Sequence, residues 1–166
     1  FDSKWYWNNI RNLNYFMTRY QRVNATESEV NPVVAVIRFF RAFDYFDKIK
    51  TFGDVPYTDA WKATTIVMPK YDKQSELFPK LLADATAAVT ALKSASKGWT
   101  NGDVMFNGNL DKWIKFGNSL RLRLVIRMSN VKADWQAAAK AIITEGVMTS
   151  NADNAMIKFT TAGAPN

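Results

Sequence analysis

The sequence contains neither cysteine nor histidine. That double absence excludes disulfides, a thiolate nucleophile, Ser-His and Cys-His catalytic pairs, and a zinc site with its usual ligands. No apolar run approaches the ~20 residues that a membrane-spanning helix needs. The opening Phe1-Asp2-Ser3-Lys4-Trp5 lacks an initiating Met, a basic n-region and an apolar h-region. No secretory signal is therefore expected there, and the chain reads as an internal piece of a longer protein. Nothing in the remaining residue types calls for a metal or another cofactor.

What is present is apolar and aromatic. The 166 residues are 48% hydrophobic and 14% aromatic, enough for one packed domain and far from the composition of a disordered chain. The net charge of +7 is concentrated. Residues 111–132 hold Lys112, Lys115, Arg121, Arg123, Arg127 and Lys132 against Asp111 alone. These cations are scattered around a helix that also carries apolar residues on most sides, which argues for packing and against nucleic acid as a partner.

Helical periodicity dominates the chain. In residues 3–22, Tyr6, Ile10, Leu13, Met17 and Tyr20 fall on one helical face. Asn31-Pro32 supplies an N-cap followed by proline at the first helical position, and Val33, Ile37, Phe40 and Phe43 follow in register up to Thr51. The polar stripe of this second helix is Arg38, Arg41, Asp44 and Lys48, and its flanking apolar residues predict packing on more than one side. Residues 52–69 read as an ordered loop with one short strand. A third helix is expected over 72–94, with Phe78, Leu81, Leu82, Ala85, Val89 and Leu92 on one face and a kink or restart before Pro79. After a Gly- and Asn-rich loop over 95–109, helices are expected at 111–130 and 133–145, the latter ended by Gly146 at C′. The tail after Ala162 is expected to fray. The fold class is thus all-α: about five helices in irregular hairpins, forming one domain over residues 1–166, with an ordered loop between the second and third.

The helix at 111–130 groups Trp113, Gly117, Leu120, Leu124 and Met128 on one side at about 100° per residue. Arg121 falls inside that apolar arc, so it must be buried and paired, since an unpaired guanidinium there would cost several kcal/mol. Asp44 and Asp54 are the expected partners, because the second helix and its following loop should pack against this one. Asp54, in Gly-Asp-Val-Pro, also reads as a turn residue bonding nearby amides. Asp54 and Asp59 are the closest pair of loop carboxylates. Glycosidases use two carboxylates roughly 5–10 Å apart across a cleft, usually from distant segments, so five positions within one loop do not make an enzyme.

Three segments together carry a family likeness. Lys112-Trp113-Ile114-Lys115-Phe116-Gly117-Asn118-Ser119-Leu120-Arg121-Leu122-Arg123-Leu124 resembles the K-W-x-K-F-x-N-S-L-R-L-R-L signature of the SusD/RagB family of surface glycan- and nutrient-binding lipoproteins. Upstream, Arg38 to Phe46 followed by Phe52-Gly53-Asp54-Val55-Pro56-Tyr57 is similar to that family's R-A-x-x-Y-F-x-L-x-x-x-F-G-D-V-P-Y run. Tyr71-Asp72 and Leu81-Leu82-Ala83-Asp84-Ala85 resemble its next helix, in the same order and spacing.

The resemblance implies a tetratricopeptide-like scaffold within a parent roughly threefold longer, beyond the size of one ordinary domain. It also implies lipid anchoring at the outer-membrane surface through a Cys outside this piece. The implied activity is oligosaccharide capture and delivery to a SusC-like TonB-dependent transporter, with no bond-breaking chemistry. Sugar recognition needs flat aromatic faces with amides and carboxylates beside them. The loop candidates are Trp61, near Thr58 and Asp59, and Trp99, near Asn101 and Asp103; packing beneath the loop is the alternative role for each. The resemblance places most of the family's ligand contacts outside these residues. The other functional class is a helical-repeat protein–protein interaction module with no sugar ligand.

Overall fold

The computed structural model describes residues 11–13, 15, 27–60, 62 and 65–157. Among the described residues, helical backbone at 11–13 and 15 is followed by four α-helices with defined bounds: α1 (Glu27–Phe52), α2 (Gln74–Ser94), α3 (Leu110–Arg127) and α4 (Trp135–Thr144), then a 3-10 turn at Asn151–Asp153. Among the described residues there is no strand, only an isolated antiparallel bridge between Val55 and Asp72. In the described part of the 52–69 loop, this single pairing stands in place of the expected short strand. Most of the helix expected over 3–22, and the tail after Ala162, lie outside the described residues.

α2 packs against both α1 and α3, and α3 carries α4. The main core is built from Phe39, Tyr45, Ile49, Leu77, Leu81 and Trp113, all at most 2% exposed. Burying side chains of this size contributes about 1.5–3 kcal/mol each. A smaller cluster of Val125, Met128, Ala139 and Ile142 joins α3 to α4. Gly117 lets α3 approach α1 closely: a Cβ there would stand 2.3 Å from the Phe39 ring.

Two helix starts differ from expectation. α1 begins at Glu27, so Asn31 is not its cap and Pro32 lies inside it. α2 begins at Gln74 and runs unbroken through Pro79, with no restart. In both helices proline is the sixth residue, so the hydrogen bond it forfeits is one to the first turn, where the loss is least disruptive. The buried face of α1 is also rotated. Phe39, Ala42, Tyr45, Phe46 and Ile49 are innermost, Phe43 is 37% exposed, and Lys48 of the expected polar stripe is buried. Packing against α2 and α3 together, the two-sided contact expected of this helix, accounts for that shift.

The loop between α1 and α2 is pinned by carboxylates. The Asp72 side chain accepts from the amides of Tyr57 (2.9 Å) and Thr58 (2.8 Å) and from the Thr58 hydroxyl (2.7 Å). The N-cap position of α2 is Lys73, which offers no capping side chain. Asp54 supplies the cap from the loop instead, accepting from the Gln74 amide at 2.9 Å and the Lys73 ammonium at 2.8 Å. A carboxylate at a helix N-terminus also meets the positive end of the helix dipole. Asp54 therefore does bond an amide, one brought close by the loop. Arg41 and the Tyr57 hydroxyl both donate to Asp84, at 2.9 and 2.8 Å, fastening α1 and the loop to α2.

Candidate functional site

The Gly- and Asn-rich loop before α3 is organised by one buried carboxylate. Asp103 Oδ1 accepts from the amides of Met105 (3.1 Å) and Phe106 (3.0 Å), and Oδ2 accepts from the Gly108 amide (2.8 Å) and the Trp113 indole N–H (2.8 Å). Burial is the largest influence on this carboxyl and raises its pKa, but the hydrogen bonds from Phe106, Gly108, Trp113 and Met105 together outweigh it. The group is held below the usual carboxylate range. Trp113 is 2% exposed and sits among aromatic rings, edge-on to Phe106 with centroids 4.8 Å apart and stacked on Trp99 at 5.7 Å. Trp99 thus has one ring contact that fixes it in place, worth about 0.5–1.5 kcal/mol beyond the area it covers.

Trp99 and Asp103 line a cleft of about 570 Å³ together with Val33, Ile37, Phe40 and Asp44. Asn101 is exposed and lines an adjoining hollow of about 440 Å³ with Asp103 and Asn107. The structure therefore brings Trp99 and Asp103 into one cleft and leaves Asn101 at its neighbour. Trp61 lies outside the described residues. Since both oxygens of Asp103 are already engaged, the cleft's available carboxylate is Asp44. Burial pushes the Asp44 carboxyl above its ordinary pKa, against the opposing pull of Lys48. Sequence reasoning placed Asp44 in an ion pair and missed it as a cleft residue. Its position one turn after Phe40 and two turns after Ile37 on α1 was the available signal.

Arg121 is buried and paired, as its place on the wheel required, but not with Asp44 or Asp54. Its Nη1 donates to Glu145 Oε2 at 2.9 Å and to Asn118 Oδ1 at 2.7 Å, its Nη2 reaches Glu145 Oε1 at 3.3 Å, and its Nε donates to Thr86 Oγ1 at 3.2 Å. Lys93 completes the cluster, donating to Glu145 at 2.7 Å. Hydrogen bonds from Arg121 and then Lys93 hold the Glu145 carboxyl down at about 2. Arg121 faces α2 and the end of α4, whereas Asp54 caps α2 and Asp44 lines the Trp99 cleft. The chain reverses over residues 128–134, which returns the end of α4 to the middle of α3.

Lys115, Asn118 and Ser119 of this segment are bonded within the chain in the same way. Asn118, fully buried, donates to the Gly146 carbonyl at 2.8 Å. Ser119 accepts from the Met148 amide at 3.0 Å, and Lys115 pairs with Asp153 at 2.9 Å. Gly146 itself takes φ 96°, the left-handed conformation of a C′ residue, as expected.

Among the described residues, a helical body with Lys115, Asn118, Ser119 and Arg121 turned to internal bonding, beside an open cleft with an aromatic wall, has the character of a scaffold for binding. The sequence pattern of the SusD-like family, described as starch-binding and associating with the outer membrane, matches residues 1–166, and the chain belongs to that family. A solved SusD homologue from Bacteroides fragilis is 31% identical with a TM-score of 0.82, over 96% of this chain and 34% of that one. A solved chitin-binding protein is 29% identical with a TM-score of 0.75, over 92% of this chain and 33% of that one. SusD-like protein P2 of Formosa agariphila is 34% identical over 64 residues, 37% of this chain and 13% of that protein. The chain spans about a third of the length of these solved relatives.

Proposed function

We propose that the protein to which this chain belongs captures oligosaccharide at the cell surface and passes it to a SusC-like TonB-dependent transporter, without breaking bonds. A lipid anchor on a Cys outside these residues would hold it to the outer membrane. Residues 1–166 serve mainly as scaffold and transporter-facing surface. The observation that carries this division is the internal bonding of Asp103, Trp113, Lys115, Asn118, Ser119 and Arg121. Those side chains hold helices and loops together and have little left to offer a ligand.

The Trp99 cleft adds one wall of a sugar site, with the indole for stacking, Asp44 for a hydroxyl and Asn101 at the rim. One ring and one carboxylate only partly offset the cost of immobilising an oligosaccharide. Isothermal titration with maltohexaose and chitohexaose should therefore give no heat at millimolar sugar for residues 1–166 and clear binding for the longer protein. Tight binding by residues 1–166 that is lost on Trp99→Ala or Trp61→Ala would overturn the assignment.

A further inference from the structure

Lys115, Asn118, Ser119 and Arg121 stand within one turn of one another along α3, and each bonds the chain that returns after α4. The two sequences run in opposite order. Arg121 holds Glu145, Asn118 holds the Gly146 carbonyl, Ser119 holds the Met148 amide and Lys115 holds Asp153. As the return segment advances from 145 to 153, its anchors step back from Arg121 to Lys115, about 9 Å along the axis at about 1.5 Å per residue. The segment therefore travels antiparallel to α3, and its 3-10 turn packs on that helix. This direction carries it toward the first turns of α3, where Trp113 bonds Asp103 at the wall of the cleft.

The far end of the segment is held twice. Asp153, 5% exposed, accepts from the Lys115 ammonium at 2.9 Å and, through its other oxygen, from the Thr149 amide at 3.1 Å. Just beyond this anchor, Ala155 packs on the main core, Met156 lines the hollow beside Asn101, and Ile157 lines the cleft with Trp99. Met156 and Ile157 are 56% and 46% exposed, so burial alone does little to keep them there. Their place follows from the bonds upstream.

We propose that Lys115 is a positioning residue of the Trp99 cleft: by fastening Asp153 to α3 it sets Ile157 into the cleft wall, with Asn118 and Ser119 fixing the register of the segment that leads there. Lys115 is partly exposed in this pair, and such ion pairs contribute little to global stability. The consequence of losing it is local, a displaced wall in an otherwise folded chain. A binding cleft depends on walls held at a set separation by residues that do not themselves touch the ligand. The use of this wall for sugar rests on the sugar reading above; its position does not.

The test exploits the absence of cysteine from residues 1–166. Ile157→Cys supplies a single thiol for bimane, a dye whose emission is quenched on contact with an indole. The labelled chain should be quenched, and Trp99→Phe should remove most of that quenching. Lys115→Glu, which sets a carboxylate against Asp153, should remove it as well. Lys115→Arg should keep it, and Lys115→Glu combined with Asp153→Lys should restore it, all with urea midpoints close to that of the labelled parent. If Lys115→Glu does not fold, Asp153→Asn breaks the ion pair while its amide oxygen still accepts from Thr149, and the same loss is expected. An unquenched parent, or full quenching in the folded Lys115→Glu or Asp153→Asn variant, would overturn the proposal. In the longer protein, Lys115→Glu should weaken maltohexaose or chitohexaose binding by about tenfold. Wild-type affinity in that variant would overturn the positioning role. A longer protein that binds neither sugar would overturn the sugar reading instead, and the dye would still decide the wall.

Discussion

Arg121 and Arg123 stand two residues apart on α3 and meet opposite surroundings. Arg121 is directed into the angle between α2 and α4, where Glu145, Asn118 and Thr86 satisfy its guanidinium. Arg123 is directed toward α1, rests on two phenylalanine rings and pairs with no carboxylate among the described residues. The helix propensities of the two are the same, so the difference belongs to the hairpin. The turn after α3 returns the chain to one flank of the helix and, among the described residues, leaves the other without an acidic partner. One flank is therefore held by ion pairs and the other by cation–ring contacts.

The largest effect should come from breaking the structural flank. Arg121→Ala leaves Glu145 and Asn118 facing a cavity, and urea unfolding should show a loss of roughly 3–5 kcal/mol. Next comes the loop keystone. Asp103→Ala removes the acceptor for three amides and the Trp113 indole, which should lower stability by about 3 kcal/mol and shift the tryptophan fluorescence.

Acid titration should separate two carboxylates of opposite sign. Glu145 has a folded pKa of about 2, below its ordinary 4.5. Its contribution is complete above about 4.5 and is lost as the pH falls toward about 2, so Glu145→Gln should flatten that limb of the stability curve. Asp44 has a raised folded pKa, so its ionised form is penalised in the fold at neutral pH and the penalty disappears on acidification. Asp44→Asn should then gain a few tenths of a kcal/mol, about 0.5 at most, at pH 7. The smallest change should be Arg123→Gln, within about 0.5 kcal/mol of wild type by urea unfolding, as befits a side chain with no carboxylate partner among the described residues.

Sequence periodicity located α1 to α4 because each carries a long apolar stripe, and it placed Arg121 inside because the wheel left no polar face for it. Periodicity could not phase α1, whose apolar residues surround most of the helix; two neighbours, α2 and α3, decided which were innermost. Nor could it name Glu145. A carboxylate at the end of a ten-residue helix becomes a partner only when the reversal over 128–134 is known, and spacing along one helix does not report it. Asp103 was visible as a loop carboxylate, and a short acidic side chain among Gly and Asn is equally a ligand contact or a turn organiser. The hydrogen bonds from Met105, Phe106 and Gly108 gave it the second role.

The Arg121–Glu145 pair as the clamp of the structural flank is tested most directly by a double-mutant cycle on Arg121→Ala and Glu145→Ala, measured by urea unfolding. Removing either partner alone leaves the other uncompensated, so the double variant should be less destabilised than the sum of the singles, with a coupling of roughly 1–3 kcal/mol. Additivity within about 0.5 kcal/mol would contradict the clamp and leave Arg121 buried for some other reason.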